Sequence, residues 1–321
     1  MTTYIIRRIL ISIPLLLAIS FITFMFIQMA PGNYFDQMRM NPQISEETIK
    51  QYESKYHFDK PALIQYYYWL KSLIRLDFGY SFSMMSPVAD VIKTRLFNTF
   101  ILSLSAMLFT WLIAIPLGIY CAVNQNRFSD RFFSGLSFIG LSIPNFFFAM
   151  LLLYAASITG LLPLGGMRLA NHEELPLFLK IWDVLTHLAI PTLVIGTSAL
   201  AGLQRIMRGN MLEVLRAQYI TTARAKGLSE HRVIYKHALR NAINPMITIF
   251  GYSLSGLLSG AALTEIITGW PGLGSVMLQA VRSQDIFLVM GSMLMGGVML
   301  LGGNLVADIL LAWSDPRIQY K

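Results

Sequence analysis

Six side chains stand out as possible chemistry in this chain of 321 residues: five histidines, His57, His172, His187, His231 and His237, and a single cysteine, Cys121. The histidines fall in connecting segments on both sides of the apolar runs, and none stands at a metal-ligand spacing from the cysteine. Cys121 ends an apolar run and has no partner for an intrachain disulfide, so a small packing residue is expected in preference to a redox role. No G-x-x-x-x-G-K-S/T phosphate loop, H-E-x-x-H zinc motif or G-x-S-x-G nucleophile elbow occurs. The sequence therefore predicts no catalytic residue, no metal site and no cofactor of its own. Ionisable residues inside apolar runs are functional candidates because a charge in the bilayer is costly. Here they are few: Glu265, near the end of one run, and Asp308, four residues after Asn304 in another.

The elements that must position these residues are membrane helices. The chain is 55% hydrophobic and 13% charged, with a mean hydropathy of +0.56, whereas soluble domains carry about a quarter charged residues. The net charge of +8 comes without a basic stripe interleaved with base-stacking aromatics, which argues against nucleic acid. Apolar windows at 9–30, 98–123, 132–160, 188–204, 243–267 and 287–312 predict six spans. The window after Arg7-Arg8 is too long for a signal h-region and lacks a good cleavage exit, which predicts a retained first helix. Pro14, Pro116, Pro144, Pro191 and Pro245 fall in or at the ends of spans, where each can kink a helix. Gly256-x-x-x-Gly260, with Gly251, Ser255 and Ser259, predicts close helix packing.

Orientation follows from Lys and Arg. An interior N-terminus gives the inside segments fourteen basic residues against three in the short outside loops, which predicts cytoplasmic termini. The long segment 31–97 has eight basic and seven acidic residues and casts no vote. It is expected on the outer face as a docking surface, with one or two helices. One starts after a Ser45 cap, and the other carries Tyr66, Tyr67, Tyr68 and Trp69. Those rings suit either ligand stacking or, in preference, an interfacial or packing position. Glu265 could meet a substrate amine or make a cap or interhelical bond. Trp270-Pro271-Gly272 is expected to form a rigid turn on the outer face.

The most informative stretch is the inside loop 205–242. Two helical pieces meet at Gly227, a C-terminal stop, with Ser229 as a candidate cap for the second. The short piece 221–226 carries the small Ala223 and Ala225 and could seat in a groove of another protein; equally, a basic loop can fix topology and touch anionic lipid.

Tyr219-Ile-Thr-Thr-Ala-Arg-Ala-Lys-Gly227, followed by His237-Ala-Leu-Arg-Asn-Ala-Ile-Asn-Pro245, resembles the EAA loop of binding-protein-dependent ABC importer permeases, dipeptide/oligopeptide or nickel branch. Met29-Ala-Pro-Gly32, Asp77-Phe-Gly-Tyr-Ser81, Glu265-Ile-Ile-Thr-Gly-Trp-Pro-Gly-Leu-Gly274 and Asp315-Pro-Arg-Ile318 extend the likeness almost end to end. Thr221-Thr222-Ala223 stands where the general signature has Glu-Ala-Ala, and Asn244-Pro245 where a hydrophobic residue commonly precedes the proline.

The resemblance implies an all-α integral membrane protein of the type I ABC importer permease fold, with six transmembrane helices, cytoplasmic termini and a large first extracytoplasmic loop. The corresponding division is 1–30, an N-terminal segment and first span; 31–97, an extracytoplasmic loop; and 98–321, a core of five spans holding the coupling loop 205–242. It further implies a homologous second permease, two cytoplasmic ATPases that use ATP and Mg, and an extracytoplasmic solute-binding protein. Tyr219, Thr221, Thr222, Ala223, Lys226, Gly227 and Leu228 would couple to the ATPase, with Gly227 permitting the turn and Ala223 the close contact. The implied cargo is di- or oligopeptides, with nickel or metal chelates and oligosaccharides as alternatives. A secondary carrier, a channel or a membrane enzyme is the contrasting class, and the sparse intramembrane charges give these little support.

Overall fold

The computed structural model describes residues 2–40, 42–256 and 262–314. Among them helix dominates, as expected, with one short hairpin. The helix α1 (Thr2–Met29) is apolar on every side, and Leu10 and Phe26 stand 60% and 70% exposed. Such a helix closes its backbone bonds internally and leaves its side chains to lipid. Three short helices follow, α2 (Tyr34–Arg39), α3 (Glu46–Lys55) and α4 (Ala62–Leu73). Ser45 caps α3 as expected, its Oγ accepting the Thr48 N–H at 3.3 Å. Strands β1 (Tyr80–Ser81) and β2 (Ser86–Pro87) pair antiparallel, a detail the all-α expectation omitted.

The long helix α5 (Val88–Val123) leads to α6 (Phe128–Ser142) and α7 (Asn145–Thr159). Residues 132–160, expected as one span, form two helices bent by 102° at a short break. Pro144 disfavours helix at the residue before it, and Ile143 is extended at ψ 124°. Next come α8 (Leu177–Leu215), α9 (Gln218–Ala225) and α10 (Glu230–Arg232), a π-helical turn at Val233–Ala238, and α11 (Leu239–Ala242). The expected span 188–204 thus lies inside a 39-residue helix, and the first residues of the expected loop continue it. The described residues end with α12 (Asn244–Gly256), α13 (Ala262–Thr268), α14 (Leu273–Arg282) and α15 (Ile286–Ser314).

Four of these helices are long and apolar enough to cross a membrane, α1, α5, α8 and α15, or five spans if the bent pair counts as one. The fifth expected span, 243–267, is represented by α12 and α13. Ser259, Gly260 and Asp315-Pro-Arg-Ile318 lie outside the described residues.

The chain divides into two compact units, Met1–Thr99 with Pro271–Leu301 and Phe100–Trp270 with Gly302–Lys321. In the first unit, Val88, Ile92, Val276, Ala280 and Leu288 form one buried cluster, and Phe35, Ile49 and Phe82 another. Asp285 is fully buried and accepts from Ser81 Oγ at 2.8 Å, Ser83 N at 3.0 Å and Ser83 Oγ at 2.9 Å, while its other oxygen caps Leu288 N at 3.2 Å. This single carboxylate ties the hairpin to the start of α15. Gly79 sits beside it with φ +92°, where an added Cβ would lie 2.9 Å from Phe287 Cγ. In the second unit α6, α7 and α13 pack on α8.

Candidate functional site

The loop singled out in the sequence is built on the core of the second unit. Ile220 and Ala223, three apart on one face of α9, are 0% and 8% exposed. They pack in a cluster with Met207 and Met211 of α8, Val233 and Ala238 of the π-helical turn, and Ile119 and Ala122 of α5. The opposite face presents Tyr219, Thr221, Thr222 and Lys226. Ala223 thus faces its own core and offers little surface to another protein.

Helix α9 ends in a Schellman motif. Leu228 N donates to Ala223 O at 3.3 Å and Gly227 N to Arg224 O at 2.9 Å, with Gly227 at φ +74°. An added Cβ on Gly227 would meet nothing within 4 Å, so backbone conformation and not space selects glycine there. Leu228 packs against the same core. Ser229 occupies the N-cap position of α10, but its side chain makes no capping bond. Asn241 Nδ2 donates to Tyr219 Oη at 2.8 Å, which ties the start of α9 to α11. An exposed ion pair joins Arg224 to Glu230 at 2.9 Å; pairs of this kind contribute about 0–1 kcal/mol.

Near the loop lies an ion pair that the sequence did not reveal, between the buried Asp130 and the partly exposed Arg208. Arg208 of α8 binds Asp130 of α6 through two bonds, Nε to Oδ1 at 2.8 Å and Nη2 to Oδ2 at 2.7 Å. Asp130 also accepts Asn126 N at 3.0 Å. A planar fork satisfied on both sides fixes direction as well as distance. It holds the part of α8 that carries Met207 and Met211. Cys121 is buried and free, in keeping with a packing role.

At the far end of the unit, Asp183 of α8 gathers a second polar knot. It accepts Leu169 N at 3.1 Å, His172 Nδ1 lies 2.6 Å from Oδ2, and His187 Nδ1 lies 2.8 Å from the Asp183 main-chain oxygen and 3.1 Å from Oδ1. The knot anchors the connection between α7 and α8. That connection also meets the end of α13, where Gly166 N donates to Thr268 O at 2.9 Å. The i, i+4 spacing of Asp183 and His187 was a visible signal for half of this knot; His172 had none. Among the described residues no group of three or more His, Cys, Asp and Glu is placed to hold a metal.

Glu265 is wholly buried in α13 and engaged within the protein. The expected turn at Trp270-Pro271-Gly272 is displaced. The left-handed residue is Gly269, at φ +65°, and Gly272 is extended at ψ −174°. Trp270 lines no outer surface: it is 0% exposed, packed with Leu102, Met167 and Leu188. Its indole fills a core, and burial of that area outweighs any surface position. Pro271 O accepts Asn98 Nδ2 at 2.8 Å, and Leu273 N donates to Thr99 Oγ1 at 2.7 Å.

Comparison with known proteins bears on this geometry. Residues 114–320 match the family model described as binding-protein-dependent transport system inner membrane component, and residues 1–105 match the N-terminal model of the same systems. The oligopeptide transport system permease protein AppB of Bacillus subtilis (strain 168) is 41% identical over 322 residues, covering 100% of both chains. The dipeptide transport system permease protein DppB of Escherichia coli (strain K12) is 36% identical over 338 residues, again covering 100% of both. A chain of the MetNI methionine ABC transporter in an inward-facing conformation is 16% identical at a TM-score of 0.49, over 68% of this chain and 96% of that one, a likeness too slight to carry an argument. The full-length matches and the apolar helices make the chain a multi-pass permease of the cytoplasmic membrane and not an enzyme, and it belongs to the family of binding-protein-dependent transport system inner membrane components.

Proposed function

We propose that this permease conducts di- and oligopeptides inward by alternating access, driven by ATP hydrolysis in two partner ATPases that α9 couples to the membrane helices. The observation that carries the cargo is the pair of end-to-end relatives, 41% and 36% identical, named for oligopeptides and dipeptides. No feature of the described residues favours nickel, metal chelates or oligosaccharides over peptides.

On this reading the exposed face of α9 is what an ATPase would touch: Tyr219, Thr221, Thr222 and Lys226. Ala223 and Leu228 act from beneath, by fastening α9 to the core, and Gly227 sets where the helix stops. A force on the exposed face then passes through Ile220 and Ala223 to Met207 and Met211 of α8, a contiguous packed route. ATP and Mg belong to the ATPases. A homologous second permease completes the pathway, and a solute-binding protein delivers the peptide to segment 31–97. Six crossings with cytoplasmic termini fit this assembly. Trp270, Pro271 and Gly272 serve as a packed link between α13 and α14. Glu265 anchors α13, and a role toward a peptide amine requires a state in which α13 parts from α7 and α8.

The test is uptake of labelled di- and tetrapeptides by the assembled transporter, with nickel and an oligosaccharide as competitors. Peptide uptake that neither competitor reduces is expected. Uptake of nickel or sugar in place of peptide would overturn the cargo.

A further inference from the structure

The first unit holds a basic, aromatic-walled pocket of about 320 Å³. Its cations are Lys55 at the end of α3 and Lys71 and Arg75 at the end of α4, and its one carboxylate, Asp77, already accepts Gly79 N at 2.9 Å. None of the three cations forms an ion pair among the described residues. Lys55 Nζ stands 5.4 Å over the Tyr56 ring. His57, held left-handed at φ +64°, stacks on Tyr68 at 4.0 Å and forms the wall between α3 and α4. A pocket with three cations against one carboxylate selects an anion.

The position of α4 says which anion. Tyr66 Oη lies 2.8 Å from Ser20 Oγ and 3.3 Å from Leu17 O, and Gln65 Oε1 accepts Gln28 Nε2 at 3.0 Å. Ser20 lies about 14 Å down the axis from Met29, taking 1.5 Å per residue. Helix α4 therefore rests against α1 within the stretch that is long and apolar enough to cross a membrane. Its free side and its end expose Leu63 at 65%, Tyr67 at 61%, Ile74 at 85% and Leu76 at 76%. Apolar side chains so placed belong in acyl chains, while Lys71 and Arg75 among them extend their stems to reach the headgroups.

We propose that this pocket is a phospholipid site, in which Lys55, Lys71 and Arg75 hold the phosphate of an anionic headgroup while Leu63, Tyr67, Ile74 and Leu76 lie along its chains. The site fixes α4 at the interface and gives the transporter a requirement for anionic lipid.

The test is native mass spectrometry of the full chain in detergent, titrated with phosphatidylglycerol or phosphatidylcholine. Wild type is expected to retain phosphatidylglycerol about tenfold better than phosphatidylcholine. The double variant Lys71→Gln, Arg75→Gln should lose that preference, and Lys71→Arg, Arg75→Lys should keep it, with circular dichroism unchanged in both. Equal retention by wild type and the Gln variant would overturn the proposal. Displacement of the lipid by millimolar inorganic phosphate would also overturn it, by making the pocket a free-anion site. So would loss of binding-protein-stimulated ATPase activity in the assembled Gln variant with lipid retention intact, because the pocket would then be a docking site for protein.

Discussion

Replacing Gly227 separates two things that a glycine can supply, room and backbone conformation. An added Cβ there meets nothing within 4 Å, so every small side chain fits; what it must accept is φ +74°. A left-handed conformation costs an ordinary L-residue about 1–2 kcal/mol, and a β-branched one more, whereas asparagine tolerates it. The Schellman bonds from Gly227 N and Leu228 N depend on that conformation. Their loss frees the end of α9 and lifts Leu228 from the core. With 1–2 kcal/mol corresponding to a factor of about 5–30 in an equilibrium ratio, the ratio of closed to open loop falls by at least that factor in Gly227→Val. Gly227→Asn should stay within about twofold of wild type. The assay is peptide uptake and ATP hydrolysis measured together on the assembled transporter in proteoliposomes, reported as peptide moved per ATP. The expected order is glycine, then asparagine, then alanine, then valine, with membrane insertion unchanged. Equal coupling for asparagine and valine would refute the conformational argument, and full coupling in valine would refute the role of the loop.

Other consequences follow from the same geometry. Asp130→Asn removes the counter-charge of the partly exposed Arg208 guanidinium and should cost about 1–3 kcal/mol; the midpoint of thermal denaturation in detergent should fall, and an unchanged midpoint would count against a structural pair. Ala223→Leu adds bulk to a closed core and should cost about 1–3 kcal/mol, with coupling falling even though the exposed face of α9 is intact; uptake at wild-type level would contradict the inward placement. Asp183→Asn should loosen the α7–α8 connection, read as faster hydrogen exchange at Leu169 and Gly166 than in wild type, and unchanged protection there would contradict the knot. Gly79→Ala places a Cβ 2.9 Å from Phe287 Cγ at φ +92°, so it should destabilise by about 1–3 kcal/mol, whereas Gly202→Ala, with no atom within 4 Å, should be nearly neutral.

The features legible in the sequence are those in which a local rule operates. Gly227 ended its helix because the residue that follows a helix so often turns left-handed, and Ser45 capped α3 for equally local reasons. The apolar windows marked helices, but their lengths were a matter of composition alone: α8 continues through charged residues at both ends of 188–204 because a helix in contact with its neighbours needs no apolar end. Pro144 was recognised as a kink, yet its bend of 102° depends on how α6 and α7 pack, and no local rule contains that. The inward face of α9 carried no local mark for the same reason. On a two-turn helix, small residues suit a partner's groove and a core equally well, and only Met207 and Met211 decide between them. Asp130 and Arg208 stand 78 residues apart and His172 and Asp183 eleven, so neither pair carries a spacing that a helix or a strand would mark. Trp270 looked like an outer-face aromatic beside a proline and a glycine; its burial comes from Leu102, Met167 and Leu188, which arrive from distant parts of the chain.

The most direct test of the central account, a permease that moves peptides only when its partners supply the energy, is reconstitution into liposomes. This chain, a homologous second permease, the two ATPases and the solute-binding protein should together accumulate labelled peptide when ATP and Mg are supplied on the ATPase side, and this chain alone should accumulate none under a proton or sodium gradient. Gradient-driven uptake by this chain alone, or ATP-independent uptake by the full assembly, would contradict it.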